Sequence, residues 1–381
     1  MKEKLKIYIT GINGIPARHG GFETCVDNVA IRHAEKGLDV VVYCRRRNIK
    51  LKDKYYKGVR LVKLPSLGHK SLETLSHTFL SVIHMFFRRK DIVHIYGVGN
   101  AIFILFLKLI GTKVVVSADS FDWERDKWGK FAKWFLFNSA KLATKISDAI
   151  IVDSKSVQKY YREKFNVETV YIPYGADIGR KADKKVLEKY GLKENDYILF
   201  VGRLIPEKGV HNLIEAFVKL KTSKKLAIIG GDWFTTDYIK LLKEKAKNSN
   251  VSFLGFVYGD ECRAIYSGAY LYVQPSLVDG TSPALLTAMG TGNCVLVNSI
   301  PENLETIGNA GLSYEKNDVD SLRNKLSELL ENEELVKEYR RKSLERIRKV
   351  YSWDRVADSI IEVYKDTLSG KKIRTDVYEK G

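Results

Sequence analysis

The chain has 381 residues, of which 45% are hydrophobic and 29% charged, with a formal net charge of +18. That balance excludes a disordered chain, and the length suffices for two domains with real cores. The charge is lopsided: residues 1–180 hold 32 Lys/Arg against 17 Asp/Glu, which implies an anionic partner for the first half, whether membrane surface, nucleic acid or phosphorylated substrate.

The first element is a strand over residues 5–10 (LKIYIT). It runs into a glycine-rich loop, GINGIPARHGGFET (11–24), and then a helix, TCVDNVAIRHAEKG. Glycines between strand and helix let backbone N–H groups approach a ligand, and the helix N-terminus favours an anion. The same spacing also suits a purely structural turn. It is neither G-x-G-x-x-G nor a P-loop, since no Lys stands where a P-loop needs it. Further strands follow at DVVVYC, VRLVKL, DIVHIYG, KVVVSA and AIIVDS, with helices over 71–88, 100–110 and 128–146 between them. Basic residues cluster at Arg45–Arg47, Lys50, Lys52, Lys54 and Lys57, and again at Arg88–Lys90. Helix 71–88 is amphipathic, with Leu72, Leu75, Phe79, Val82, Ile83, Phe86 and Phe87 at helical spacing. That stripe suits either a core face or an anionic membrane face. His94 ends a strand, where a lone histidine is more often structural than catalytic.

A linker is expected at 172–183 (IPYGADIGRKAD). The strand–helix pattern then restarts with YILFVGR, HNLIEAFVKL, KKLAIIGG, DYIKLLKEKAKN, VSFLGFV, ECRAIYSGA, YLYVQPS, PALLTAMGTG and CVLVN. Two such series predict two doubly wound parallel α/β sheets. Charged amphipathic helices occupy residues 321–368, and 371–381 reads as a polar tail. The four cysteines lie far apart without a C-x-x-C, so neither zinc nor a disulfide framework is expected, and a reducing cytosol fits. The apolar start is too short for a signal peptide, and the longest apolar run, 101–110, is about half a membrane span.

Two loops carry the chemistry. GRLIPEKG (202–209) places Arg203 and Lys208 at the C-terminal edge of a parallel sheet, where a planar fork and a point charge together suit a diphosphate. In PSLVDGTSPALLTAMGTGNCVLVN (275–298), Asp279, Gly280, Thr281 and Ser282 precede a helix opened by Pro283, a phosphate or sugar cradle. Each is equally compatible with a solvated loop or a capped core helix.

Taken with SDAIIVDS (147–154), IPYGAD (172–177) and YSWDRVADSIIEVY (351–364), these blocks resemble glycosyltransferase family 4. The N-terminal GINGIPARHGGFET with DSFDWERDKWGK (119–130) resembles a subgroup that includes rhamnosyltransferases of surface-polysaccharide assembly. The resemblance implies the GT-B fold, two Rossmann-like doubly wound domains facing a central cleft. Residues 1–175 would form the acceptor domain and 176–350 the donor domain. Residues 351–370 would form a helix returning to the first domain. It implies retaining transfer of a sugar from a nucleoside-diphosphate sugar, dTDP-rhamnose or a UDP-hexose, to a glycan or lipid-linked acceptor.

Arg203 and Lys208 would clamp the donor diphosphate without a divalent metal or other cofactor. Gly14, Gly202, Phe256, Val257, Asp279, Gly280, Thr281, Ser282 and Thr287 would line the donor site. Gly20, Gly21, Glu23 and Trp123 would meet the acceptor, with Asp119 or Asp122 as base or acceptor orienter. The family's paired Glu positions are Asp279 and Thr287 here, and Thr287 has no carboxylate for ribose hydroxyls. Its His after the strand KVVVSA is replaced by Ala118–Asp119. The competing readings are a GT-B sugar-nucleotide epimerase and a basic nucleic-acid-binding protein. The second lacks a recognisable nucleic-acid module, so no nucleic-acid partner is expected. A cytoplasmic protein, peripheral on the inner membrane face, is the expectation.

Overall fold

The computed structural model describes residues 4–17, 20–68, 72–118, 123, 129–179, 181–232, 235–371 and 373–380. The chain divides into two compact units, Met1–Tyr174 with Trp353–Gly381, and Gly175–Ser352.

In the first unit the apolar runs become β1 (Lys6–Thr10), β2 (Asp39–Arg45), β4 (Val59–Leu64), β5 (Ile92–Tyr96), β6 (Lys113–Ala118), β7 (Ala149–Val152) and β8 (Val170–Tyr171). A two-residue β3 (Tyr55–Tyr56) pairs antiparallel with β4; all other pairs are parallel. The spatial order is β3-β4-β2-β1-β5-β6-β7-β8. β1 sits centrally, with Ile7 opposite Val40 on one side and Ile92 on the other. Helices cover the faces, so β1, β2, β5, β6 and β7 are buried along nearly their whole length. Continuous Val/Ile runs are the signature of such strands.

Helix Trp353–Ser369 belongs to this unit and packs on helix Gly21–Glu35. Its buried face includes Val356, Ala357, Ile360, Val363 and Tyr364. Arg32 and Lys36 reach Asp354 and Asp358 at 2.9 and 2.6 Å. Such exposed pairs contribute about 0.2–1 kcal/mol each, so apolar burial holds the helix in place. His33 Nε2 lies 3.0 Å from the Ala357 carbonyl.

In the second unit β9 (Tyr197–Val201), β10 (Lys225–Ile229), β11 (Val251–Gly255), β12 (Leu271–Gln274), β13 (Cys294–Asn298) and β14 (Leu312–Tyr314) form an all-parallel sheet, ordered β11-β10-β9-β12-β13-β14. The order reverses between β9 and β12, the switch point at which open α/β sheets bind ligands beyond their C-terminal ends. Ile198, Phe200, Leu213, Ile214, Leu226, Ile228, Leu271, Val273 and Leu296 form its core. No helix among the described residues is long and apolar enough to cross a membrane.

Candidate active site

Three glycines floor the C-terminal rim of the second sheet. Gly202 N–H donates to Ile229 O at 3.0 Å and Gly230 N–H to Gly255 O at 2.8 Å. A Cβ on Gly230 would lie 1.8 Å from the Gly202 oxygen, and Gly230 has φ +136°. Only glycine allows that approach. The rim beyond β9, β10 and β11 therefore presents backbone rather than side chains.

Arg203 stands next to this floor. It is exposed, and no hydrogen bond or ion pair to it is found among the described residues. Leu204, the next residue, is buried and bonds Gly231 O at 3.3 Å. The Arg203 backbone is thus anchored while its guanidinium stays available. After β11, Phe256 and Tyr258 stack with ring centroids 6.0 Å apart and an 8° interplanar angle, both roughly half exposed. Val257 between them is buried. The loop after β11, expected to line the donor site, therefore offers Phe256 and Tyr258 outward, and Val257 only through its backbone.

Lys208 occupies a different environment. Its Nζ lies 2.7 Å from Asp279 Oδ2, and the two side chains are only 18% and 12% exposed. Gln274 Nε2 approaches the same Asp279 oxygen at 2.8 Å, Ser276 Oγ at 2.9 Å and Ser282 Oγ at 3.2 Å. Tyr272 O–H donates to Gln274 Oε1, orienting the amide. Leu277 N–H donates to Glu207 O at 2.8 Å. A Cβ on Gly209, at φ +65°, would lie 2.0 Å from Pro275 O. The loops 202–209 and 275–282 are thus locked together by backbone contact and a polar network centred on Gln274, which is 1% exposed. The sequence reading missed Gln274 and Tyr272 because both look like ordinary strand residues.

The remaining donor-loop residues divide by role. Gly280 N–H donates to Asp279 Oδ1 at 3.1 Å. Thr281 and Ser282 are buried. The Ser282 hydroxyl accepts from Leu285 N–H and caps helix Pro283–Gly290, a contribution of about 1 kcal/mol. Ser282 therefore serves the fold. Thr287 is half-buried, and its hydroxyl donates to Pro283 O at 2.8 Å. It too satisfies its own helix.

In the first unit the glycine loop is braced rather than open. A Cβ on Gly14, at φ +128°, would meet Cys44 and Ile49 within 2.8 Å. Gly20, at φ +101°, leaves room for the Glu23 carboxylate, and a Cβ on Gly21 would press on the Tyr174 ring. Glu23 Oε1 accepts from Asn13 N–H at 2.9 Å and from Asn13 Nδ2 at 2.8 Å. Asn48 Nδ2 in turn donates to Asn13 Oδ1 at 2.8 Å. Glu23 thus closes the loop in the first turn of its helix, where a carboxylate also suits the macrodipole.

The expectation of an acceptor wall at Trp123 is corrected. Trp123 is 7% exposed and packs among Phe137, Tyr160 and Phe165, with centroids 5.8–6.4 Å apart. A large aromatic gains more from that core than from water. Asp119 and Asp122 lie outside the described residues. His94 is fully buried between Tyr364 O–H at 2.7 Å and Ser117 Oγ at 2.8 Å. Burial pulls its pKa down to about 3, so it is a neutral core residue. Cys25, Tyr96, Ser117 and Asp153 line a small cavity in this unit. Burial pushes the Cys25 thiol up to about 12, which leaves it no nucleophilic thiolate at neutral pH.

Residues 182–350 match the family model "Glycosyl transferases group 1", and residues 4–177 match a domain of unknown function, DUF1972. The O-antigen chain mannosyltransferase B of Escherichia coli is 25% identical over 185 residues, 47% of this chain and 48% of that protein. An uncharacterized glycosyltransferase of Methanocaldococcus jannaschii is 31% identical over 244 residues, 59% of this chain and 61% of that protein. This chain thus spans about half to three fifths of those relatives. The crystal structure of Anabaena HepE in complex with UDP-glucose superposes with TM-score 0.76 at 16% identity, covering 96% of this chain and 99% of that one. The chain has the two-domain, Rossmann-like GT-B fold, and its residues 182–350 resemble the glycosyl transferases group 1 family.

Proposed function

We propose that this protein transfers a sugar from a nucleoside-diphosphate sugar to a glycan or lipid-linked acceptor, with retention at the anomeric carbon, as a family 4 enzyme of polysaccharide or glycoconjugate synthesis. The observation that carries this reading is Arg203, an exposed guanidinium without a partner among the described residues, set beside a glycine-floored sheet edge inside the region that resembles the group 1 family. Lys208 and Asp279 neutralise one another across 2.7 Å. The uncompensated positive charge at this rim is therefore that of Arg203.

As the bond between the sugar and the leaving diphosphate breaks, negative charge grows on the phosphate oxygens. Arg203 meets that charge with a planar, two-pronged donor set. Lys208, held in place by Asp279, whose carboxylate Gln274 orients, adds donors that need no reorganisation during the step. The same network aims the Asp279–Gly280 turn at the donor sugar. Phe256 and Tyr258 provide apolar faces for the base. Gly20, Gly21 and the Glu23-braced loop of the first unit would meet the acceptor. In this reading Arg203 supplies the net positive charge and Lys208 oriented donors, and transfer proceeds without a divalent cation.

HepE, crystallised with UDP-glucose, and the relative named as a mannosyltransferase favour a nucleotide-hexose donor. The N-terminal block GINGIPARHGGFET favours dTDP-rhamnose. Product analysis tests the assignment. The protein is incubated with UDP-glucose, GDP-mannose or dTDP-rhamnose, with and without a lipid-linked saccharide. Acceptor-dependent release of nucleoside diphosphate, with a lengthened saccharide, is expected. Conversion of the donor sugar without any acceptor product would instead identify an epimerase.

A further inference from the structure

We propose that one face of the first unit, built from three consecutive helical segments, docks on an anionic lipid bilayer. The segments are helix Glu73–Phe86, the turn and helix Val98–Phe103 and Ile104–Leu109, and helix Lys130–Ile146. They pack side by side, and Phe79 meets Phe103 with ring centroids 6.0 Å apart.

Helix Glu73–Phe86 buries only part of its hydrophobic stripe. Its buried face is His77, Thr78, Ser81, Val82 and Met85. Leu72 before the helix, Phe79, Ile83 and Phe87 are left exposed. The neighbouring segments add exposed Ile102, Leu105, Phe106 and Leu109, and the third adds Phe131 and Trp134. Phe87 is 90% exposed, Leu109 80%, Phe131 76% and Trp134 62%. At about 150–250 Å² per aromatic side chain, Phe87, Phe131 and Trp134 alone expose on the order of 400 Å². Apolar side chains left exposed along neighbouring segments with a charged rim mark interaction sites.

The charge around the patch selects the occupant. Helix Lys130–Ile146 carries Lys130, Lys133, Lys141 and Lys145 and no Asp or Glu. Arg88 and Arg89 stand exposed beside Phe87. A second copy of this face would bring like charges together. A nucleic acid would leave the Leu, Ile and Phe side chains without a partner. A bilayer with anionic headgroups satisfies both features: hydrocarbon takes the apolar side chains and headgroups take the lysines. Arg45, which belongs to the basic cluster by sequence, is not part of this surface. It is buried and bound to Glu73 and Thr74. This inference rests on surface composition and stands apart from the donor-site reading.

Co-sedimentation of the full chain with vesicles of phosphatidylcholine alone, or mixed with phosphatidylglycerol, tests it at low and high salt. The wild type should sediment with the anionic vesicles, less so at high salt. Each basic residue at such a surface is worth about fivefold in affinity. The variant K130Q/K133Q/K141Q/K145Q should therefore lose at least about tenfold. The variant F131S/W134S should lose binding at both salt concentrations while retaining the wild-type melting temperature. Equal binding to neutral and anionic vesicles, or no binding at low salt, would overturn the proposal. So would a dimer in sedimentation velocity that F131S/W134S abolishes while vesicle uptake is absent.

Discussion

Replacing Lys208 by Ala should damage both the stability of the second unit and its chemistry, and the structure gives the size of each effect. The Nζ–Oδ2 distance of 2.7 Å and exposures of 18% and 12% describe a pair mostly withdrawn from water. Removing one member of a fully buried pair costs about 3–5 kcal/mol, because a charge is left uncompensated. Here Gln274 Nε2 and Gly280 N–H still serve the Asp279 carboxylate, and residual solvent screens it. We therefore expect about 1–3 kcal/mol, which for a unit of this size lowers its melting temperature by roughly 2–4 °C per kcal/mol. Turnover should fall by about 10²–10³, the usual effect of losing one preorganised donor. Calorimetry and steady-state kinetics on K208A, D279N and the double variant form a cycle whose coupling measures the pair directly. If K208A melts with the wild type and the cycle is additive, the network does not stabilise the unit and the reasoning fails.

The other predictions use different parts of the molecule. Arg203→Ala should cut kcat/KM by about 10²–10³ at an unchanged melting temperature, because the side chain is exposed and unpaired among the described residues; an accompanying loss of stability would contradict that placement. Gly230→Ala should leave little folded second unit, since its Cβ would lie 1.8 Å from Gly202 O, and soluble yield with a melting curve reads this out. Burial holds His33 and His94 at pKa values of about 4 and 3, below the unfolded value near 6.5. Below that pH the unfolded chain binds more protons than the folded one, so stability should fall as the pH drops from about 6.5 towards 4. The slope is about 1.4 kcal/mol per pH unit for each histidine, and a first unit whose denaturant midpoint stays constant across that window would refute it. Transfer should persist in excess chelator; loss restored by magnesium or manganese would contradict the proposed charge supply.

The parallel sheets were readable because buried strands advertise themselves as Val/Ile runs between helical periods, as DVVVYC and CVLVN do. The three-residue β14 and the two-residue β3 were not, because they hold too few residues to show a period. Side-chain direction was less legible. Helix Glu73–Phe86 buries His77, Thr78 and Ser81 beside Val82 and Met85 and exposes Phe79 and Ile83, a division that the spacing alone left open. Trp123 stands in a polar stretch, and its burial depends on aromatic partners at Phe137, Tyr160 and Phe165. In the donor loops the spacing of Arg203 and Lys208 was visible. The lock between Lys208 and Asp279, 71 residues apart, and its support by Gln274 were not. Pairings at that separation are set by topology rather than by local pattern.

The central claim is that Arg203 holds the diphosphate of a nucleotide sugar on the second unit. Isothermal titration of UDP, GDP and dTDP, and of UDP-glucose, GDP-mannose and dTDP-rhamnose, into wild type and Arg203→Ala tests it most directly. The account predicts that at least one nucleoside diphosphate and its sugar bind the wild type. It further predicts that the variant, still folded, loses affinity for both while the free nucleoside binds the two proteins equally weakly. Equal affinity of wild type and variant for the diphosphate would contradict it.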